Sequence, residues 1–223
     1  MNLLLGGGGN ATDSLPLDQK LAEWMGRGAS LLYLSFALPD DHPLLSGCED
    51  WIASIFSPLG IDRIVTWHAI DLLSGSHPRD LDAFDGVYIG GGNTFRLLDI
   101  LQRTGLDRKF VAFAKSGKPI SGGSAGAIVL GQDIGIAGSF GDANEVGLRD
   151  TSGLDLLRDM RGAAHLVLPH YVEAWKADAQ HIANATRTPV IAIEESAGLV
   201  IANETWIPVG EGSVTFIPPA TGV

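Results

Sequence analysis

With 223 residues, 45% of them hydrophobic and only 18% charged, the chain can bury a large core and falls outside the disordered class, which combines low hydrophobicity with high charge. A formal net charge of −11, with no basic run longer than Arg108-Lys109, excludes nucleic-acid binding and attraction to an anionic membrane surface. The single cysteine, Cys48, excludes an internal disulfide and fits a reducing compartment.

The opening Met1-Asn2-Leu3-Leu4-Leu5 lacks the basic start and longer apolar core of a signal peptide, so a cytoplasmic location is expected. Leu3 to Leu5 read as a buried strand closed by Gly6 to Gly9. Asp13 or Ser14 can cap a helix whose apolar face is Leu17, Leu21, Trp24 and Met25. Residues 30–38 form the second strand, broken at Pro39, and a helix carrying Trp51, Ile52, Ile55 and Phe56 follows. Residues 63–70 and 85–89 are the third and fourth strands, the fourth running into Gly90-Gly91-Gly92-Asn93-Thr94. Helices over 95–102 and 106–115 precede a fifth strand over 119–121 and the turn Gly122-Gly123-Ser124-Ala125-Gly126. Apolar strands alternating with amphipathic helices indicate an α/β fold, a mostly parallel central sheet with helices on both faces.

After Leu130 recurring glycines suggest loops and short antiparallel strands. Residues 165–169, 190–193 and 199–202 read as strands, 175–185 as a helix and 206–217 as a closing hairpin. No linker or repeat interrupts the chain, so residues 1–223 are expected to form a single domain.

Chemistry concentrates at the two glycine turns. Gly122 to Gly126 satisfies the G-x-S-x-G pattern between a strand and a helix start, where a tight turn projects the Ser124 hydroxyl. The Ala125 N–H is a candidate oxyanion donor, and the Gly92 N–H, on the preceding strand's loop, a candidate second one. Of six histidines, His42, His77 and His181 sit in polar surroundings and should face solvent, and His165 should be structural. His170 and His68 both close strands at the edge where sites form; His170 is the favoured base. Glu195 or Glu194, at the exit of the 190–193 strand, can orient the imidazole; Glu173 and Asp178 are alternatives. No Cys/His cluster with metal spacing occurs, and neither a metal nor a cofactor is expected.

Gly90-Gly91-Gly92-Asn93-Thr94-Phe95, Gly123-Ser124-Ala125-Gly126-Ala127 and Pro169-His170-Tyr171, in this order, resemble peptidase family S51, the dipeptidase E and cyanophycinase group. The resemblance implies a three-layer sandwich like the class I glutamine amidotransferases, with serine in the cysteine position. It implies a triad in chain order Ser124, His170, Glu195, with Glu194 the neighbouring alternative. It also implies short peptides as substrates, with an N-terminal aspartyl dipeptidase-like preference as the finer expectation. Asn93 and Lys176 are the substrate-binding candidates. The stretch after the histidine includes an arginine in dipeptidase E-like members; residues 172–178 hold none, and Lys176, flanked by Glu173 and Asp178, is the substitute. Expected partners are a small peptide and, where the chain self-associates, copies of itself. Rival readings are a non-catalytic ligand-binding module of the same fold and an esterase or amidase using the same triad.

Overall fold

The computed structural model describes residues 1–75 and 80–220. Its first strands are β1 (Asn2–Gly6), β2 (Ser30–Leu34), β3 (Arg63–Trp67), β4 (Gly86–Ile89) and β5 (Ile120–Gly123). The later ones are β6 (Leu166–Leu168), β7 (Val190–Ile193), β8 (Ala197–Ala202), β9 (Thr205–Gly210) and β10 (Val214–Ile217). A seven-stranded sheet has the order β3-β2-β4-β5-β1-β8-β9, and a three-stranded sheet the order β10-β7-β6. The strands from β3 to β1 are mutually parallel; β8 and β9 extend the sheet antiparallel beyond β1.

Alternation along the strands makes two cores. Leu3, Leu5, Leu32, Leu34, Val87 and Ile89 face one way, against α4 (Thr94–Thr104), α5 (Leu106–Lys115) and α6 (Ala125–Val129). Leu4, Leu31, Tyr33 and Tyr88 face the other way, under α1 (Ala11–Met25) and α2 (Cys48–Phe56). The parallel sheet with helices on both faces is therefore as expected. Short helices α3 (Ala69–Leu73) and α7 (Ile136–Ser139) and the longer α8 (Lys176–Thr186) complete the helices used below.

Several boundaries differ from the expectation, each for a local reason. Strand β2 stops at Leu34 because the Leu38 N–H turns back to the Ser35 carbonyl at 3.0 Å. Strand β3, paired residue for residue with β2, loses its neighbour at Trp67 and the chain enters α3 instead of continuing to residue 70. Helix α1 starts at Asn10, whose side chain accepts from Thr12 N–H, while Asp13 returns the bond to the Asn10 N–H. The segment after Leu130 holds isolated antiparallel bridges, Asp133 to Ser152 and Arg158 to Ala164, instead of short strands. The tail is not a hairpin of its own. Asn203 and Glu204, at φ 49° and 64°, turn β8 tightly into β9, and β10 crosses to pair with β7.

Strand β1 lies between β5 and β8, and α1 leaves it to one face of the sheet while α4 and α6 leave β4 and β5 to the other, so the loops leaving β1, β4 and β5 meet at one end of the sheet. In open parallel sheets that switch point is where ligands bind. No described helix is long and apolar enough to cross a membrane.

Candidate active site

Strand β5 ends at Gly123, α6 begins at Ala125, and Ser124 alone makes the turn at φ 52° and ψ −119°. A serine with positive φ is strained, and the surroundings must hold it there. The glycines allow that. A Cβ on Gly122 would run into the Gly126 carbonyl, and one on Gly126 into the Ile89 carbonyl of β4. The Ser124 N–H donates to the Gly6 carbonyl at 3.2 Å, tying the turn to the end of β1.

His170 follows β6 through Pro169 and also takes a positive φ, 54°. Its backbone N–H donates to the Gly7 carbonyl at 2.7 Å, so the β1 loop anchors both residues. The ring bridges two partners: Nε2 lies 2.8 Å from Ser124 Oγ and Nδ1 lies 2.8 Å from Glu195 Oε1. With Nδ1–H donating to the carboxylate, Nε2 is left as the acceptor facing the serine hydroxyl. The geometry has the form needed for proton transfer from an attacking serine.

Glu195 supplies the carboxylate because its neighbour is occupied: Glu194 Oε2 accepts from the Ser213 N–H at 2.9 Å. Glu173 is paired with Lys176 at 2.8 Å and with the Tyr171 hydroxyl at 3.3 Å, and Asp178 is exposed on α8. His68 meets a different serine and glutamate: Nδ1 is 2.9 Å from Ser35 Oγ and Nε2 is 3.4 Å from Glu49 Oε1. Ser35 is only 2% exposed and neither it nor His68 lines a described cavity, so this look-alike is structural. His165 is buried, its Nδ1 3.1 Å from the Leu157 carbonyl and its ring centroid 4.9 Å from that of Trp206. His181 is exposed, His42 is half-buried in a cavity wall instead of solvent-facing, and His77 lies outside the described residues.

Gly91 packs against the serine, a Cβ built on it falling 3.2 Å from Ser124 Cβ, and Gly92 lines the same cavity. Among the described residues neither the Gly92 nor the Ala125 N–H has an acceptor, which leaves both free for one. Asn93 is not aimed at a ligand: its Oδ1 caps α4 at the Arg96 N–H, 2.9 Å, and its Nδ2 donates to the Ala143 carbonyl, 2.8 Å. Lys176, 63% exposed and held by Glu173, is not brought to the site and lines neither described cavity.

Ser124 and His170 stand between two cavities. The larger, about 670 Å³, opens under α1 and the loop before α2; the smaller, about 60 Å³, is bounded by Thr94, Asp142, Phe140 and Trp175. In the larger one Asp18 is wholly buried, and burial pushes its carboxyl up to about 6 against one opposing hydrogen bond from Ser14. Sequence reasoning missed Asp18 and the Gly7-Gly8 anchor. The signals were present: an acid on the apolar stripe of α1, and four glycines at a strand's carboxyl end. No group of three or more His, Cys, Asp or Glu among the described residues could hold a metal ion.

The family model for peptidase family S51 matches residues 3–221. Peptidase E of Shewanella oneidensis is 31% identical over 208 residues, spanning 80% of this chain and 82% of its own. Peptidase E of Shewanella putrefaciens is 28% identical over 204 residues with the same coverage. Among solved structures, a peptidase from an acI-B1 Actinobacterium superposes with a TM-score of 0.70 at 19% identity, over 98% of this chain and 91% of its own. The fold is the three-layer arrangement of the class I glutamine amidotransferases.

Proposed function

The chain belongs to peptidase family S51 and is a serine-type peptidase, and from that premise we propose that it cleaves short peptides through Ser124, His170 and Glu195. The observation that carries this reading is the imidazole of His170, held at 2.8 Å by both Ser124 Oγ and Glu195 Oε1. As Ser124 Oγ attacks the scissile carbonyl carbon, its proton passes to His170 Nε2 and Glu195 stabilises the resulting imidazolium. The developing oxyanion is met by the Ala125 and Gly92 N–H groups, each donor contributing about 2.7–4 kcal/mol. The imidazolium then protonates the departing amine, and the acyl group stays on Ser124. Water, deprotonated by the same imidazole, attacks that ester and frees the acid and the serine.

Among the described residues, neither cavity lining carries Lys or Arg. The described linings therefore offer no cation for the side chain of an N-terminal aspartate.

A fluorophosphonate tests the nucleophile without knowledge of the substrate. The expected result is one phosphonyl group, displacing fluoride, on the proteolytic fragment that contains Ser124. Labelling of Ser35, or no labelling of a folded protein, would overturn the assignment.

Gly8 tests the placement of the base. It sits at φ +108°, and a Cβ there would collide with the His170 ring. Gly8→Ala must move the imidazole or the loop, and a shift of this kind costs about a hundredfold in kcat/KM. The expected split is a fall in kcat with fluorophosphonate labelling slowed in parallel.

A further inference from the structure

Among the described residues Asp18 is the only acid in the lining of the larger cavity, and it is 0% exposed. Its Oδ2 accepts from Ser14 Oγ at 2.7 Å, while Oδ1 has no partner among the described residues. A buried carboxylate without a counter-charge is costly, and an apolar residue on this stripe of α1 would serve the core better. Retaining an acid where the helix faces a cavity points to a ligand group that answers it.

The cavity around it suits one kind of group. Three aromatic rings pack together in its wall: Tyr33 to Trp51 at 6.0 Å, Tyr33 to Tyr88 at 5.9 Å and Trp51 to Tyr88 at 6.1 Å between centroids. Leu17, Leu38 and Leu44 add aliphatic wall. Aliphatic and aromatic surface around a single buried carboxylate matches a long apolar stem ending in a cation. The cavity is also continuous with the reacting centre. Tyr33, Tyr88 and Ser121 form one row across the sheet by strand register, and Gly123 and Ser124 follow Ser121. From α1, Leu17 closes on Gly6, which pairs with Gly123.

We propose that this cavity is the subsite for a lysine or arginine side chain of the substrate, its cationic head paired with the Asp18 carboxylate. The proposal rests on the reading of Ser124 as a peptidase nucleophile and adds the residue type recognised beside it. It departs from an aspartate preference, for which the described linings offer no cation. The net charge of −11 favours the encounter with cationic peptides.

Asp18 also sets a pH window for the preference. Its carboxyl, raised to about 6 by burial, is ionised above that pH and neutral below it, so recognition of a cation is present above and lost below. The groups facing the same cavity are Tyr33 and Tyr88 from the sheet, Cys48 from α2, His42 from the loop before it, and His170. Burial pushes both phenols and the thiol upward, so they stay neutral across this range. A charged imidazole at His42 or His170 would also act against a cation, so the comparison with Asp18→Asn at one pH isolates the carboxylate.

The test compares Lys-Ala with norleucine-Ala, Ala-Lys with Ala-norleucine, and arginine with citrulline at the same positions. At one of the two positions the wild type should favour the charged member about tenfold or more in kcat/KM near pH 8. The ratio should fall to within about threefold near pH 5, and for Asp18→Asn it should be that small at both pH values. A ratio near one in the wild type, or an undiminished ratio in a folded Asp18→Asn protein, overturns the proposal. A second arm needs neither turnover nor the Asp18 variant. Lysinamide and norleucinamide are titrated calorimetrically into Ser124→Ala protein, and tighter binding of lysinamide is expected. Equal binding overturns the subsite, whereas tighter lysinamide binding with no hydrolysis of any peptide would sink only the peptidase reading.

Discussion

Ser124→Ala protein should hydrolyse dipeptides about 10⁴-fold to 10⁶-fold more slowly in kcat/KM than the wild type, measured on purified protein with mass-spectrometric detection of products. The change deletes the hydroxyl that lies 2.8 Å from His170 Nε2 and leaves the rest of the turn in place. A 10⁴-fold loss is about 5.5 kcal/mol of transition-state stabilisation, far more than one hydrogen bond contributes to folding. Thermal unfolding should therefore stay close to the wild type, because alanine keeps the Cβ that Gly91 packs against. The positive φ at residue 124 is retained as strain without function, so relief of strain by a glycine at 124 would stabilise without restoring activity. A folded Ser124→Ala protein that cleaves peptides at the wild-type rate is incompatible with the covalent mechanism.

The second large effect separates two adjacent acids. Glu195→Gln should cost about a thousandfold in kcat/KM with little change in stability, since Glu195 is 60% exposed and its loss leaves no buried group unpaired. The amide has a donor as well as an acceptor. If its NH₂ faces Nδ1, the ring carries its proton on Nε2 and cannot accept one from Ser124. Glu194→Gln should leave kcat/KM within about threefold, because its amide oxygen can still accept from the Ser213 N–H. The reverse pattern would move the orienting role to Glu194.

That pair shows where sequence reading stops. The two acids lie in the turn between β7 and β8, closed by the Ala197 N–H on the Glu194 carbonyl, and adjacency in a turn does not tell which of them meets the imidazole. Which one does so is fixed by Ser213, ahead of β10, a partner 19 residues along the chain. Ser124 and His170, by contrast, were readable because each closes a local pattern, a glycine turn between strand and helix or a strand running into Pro169. His68 had the same local pattern, and only the third dimension places it beside Ser35 and Glu49 instead. Lys176 was read as a substrate contact, but its partner is three residues away, where helical winding brings Glu173. Asp18 was visible as an acid among leucines; the cavity that gives it meaning needs α1, α2 and the sheet assembled. The β8–β9 hairpin was missed because the closing hairpin was placed over 206–217, whereas the tight turn is made by Asn203 and Glu204 at positive φ.

Strand β1 carries a consequence for how the enzyme comes into being on the ribosome. It is synthesised about 200 residues ahead of one of its neighbours, β8, which pairs Ala202 with Asn2. At about 5–20 residues per second, the two meet only after roughly ten to forty seconds of translation. Until then β1 has an open edge, and the Gly7 N–H that will donate to Ala197 is unpaired. The end of β1 and its loop hold the backbone of Ser124 and His170, so the nucleophile and its base stay unassembled at least until His170 has been made. Such non-local pairing makes for slow folding. It also means that the nascent chain cannot act on its neighbours before Glu195 and β8 have been made.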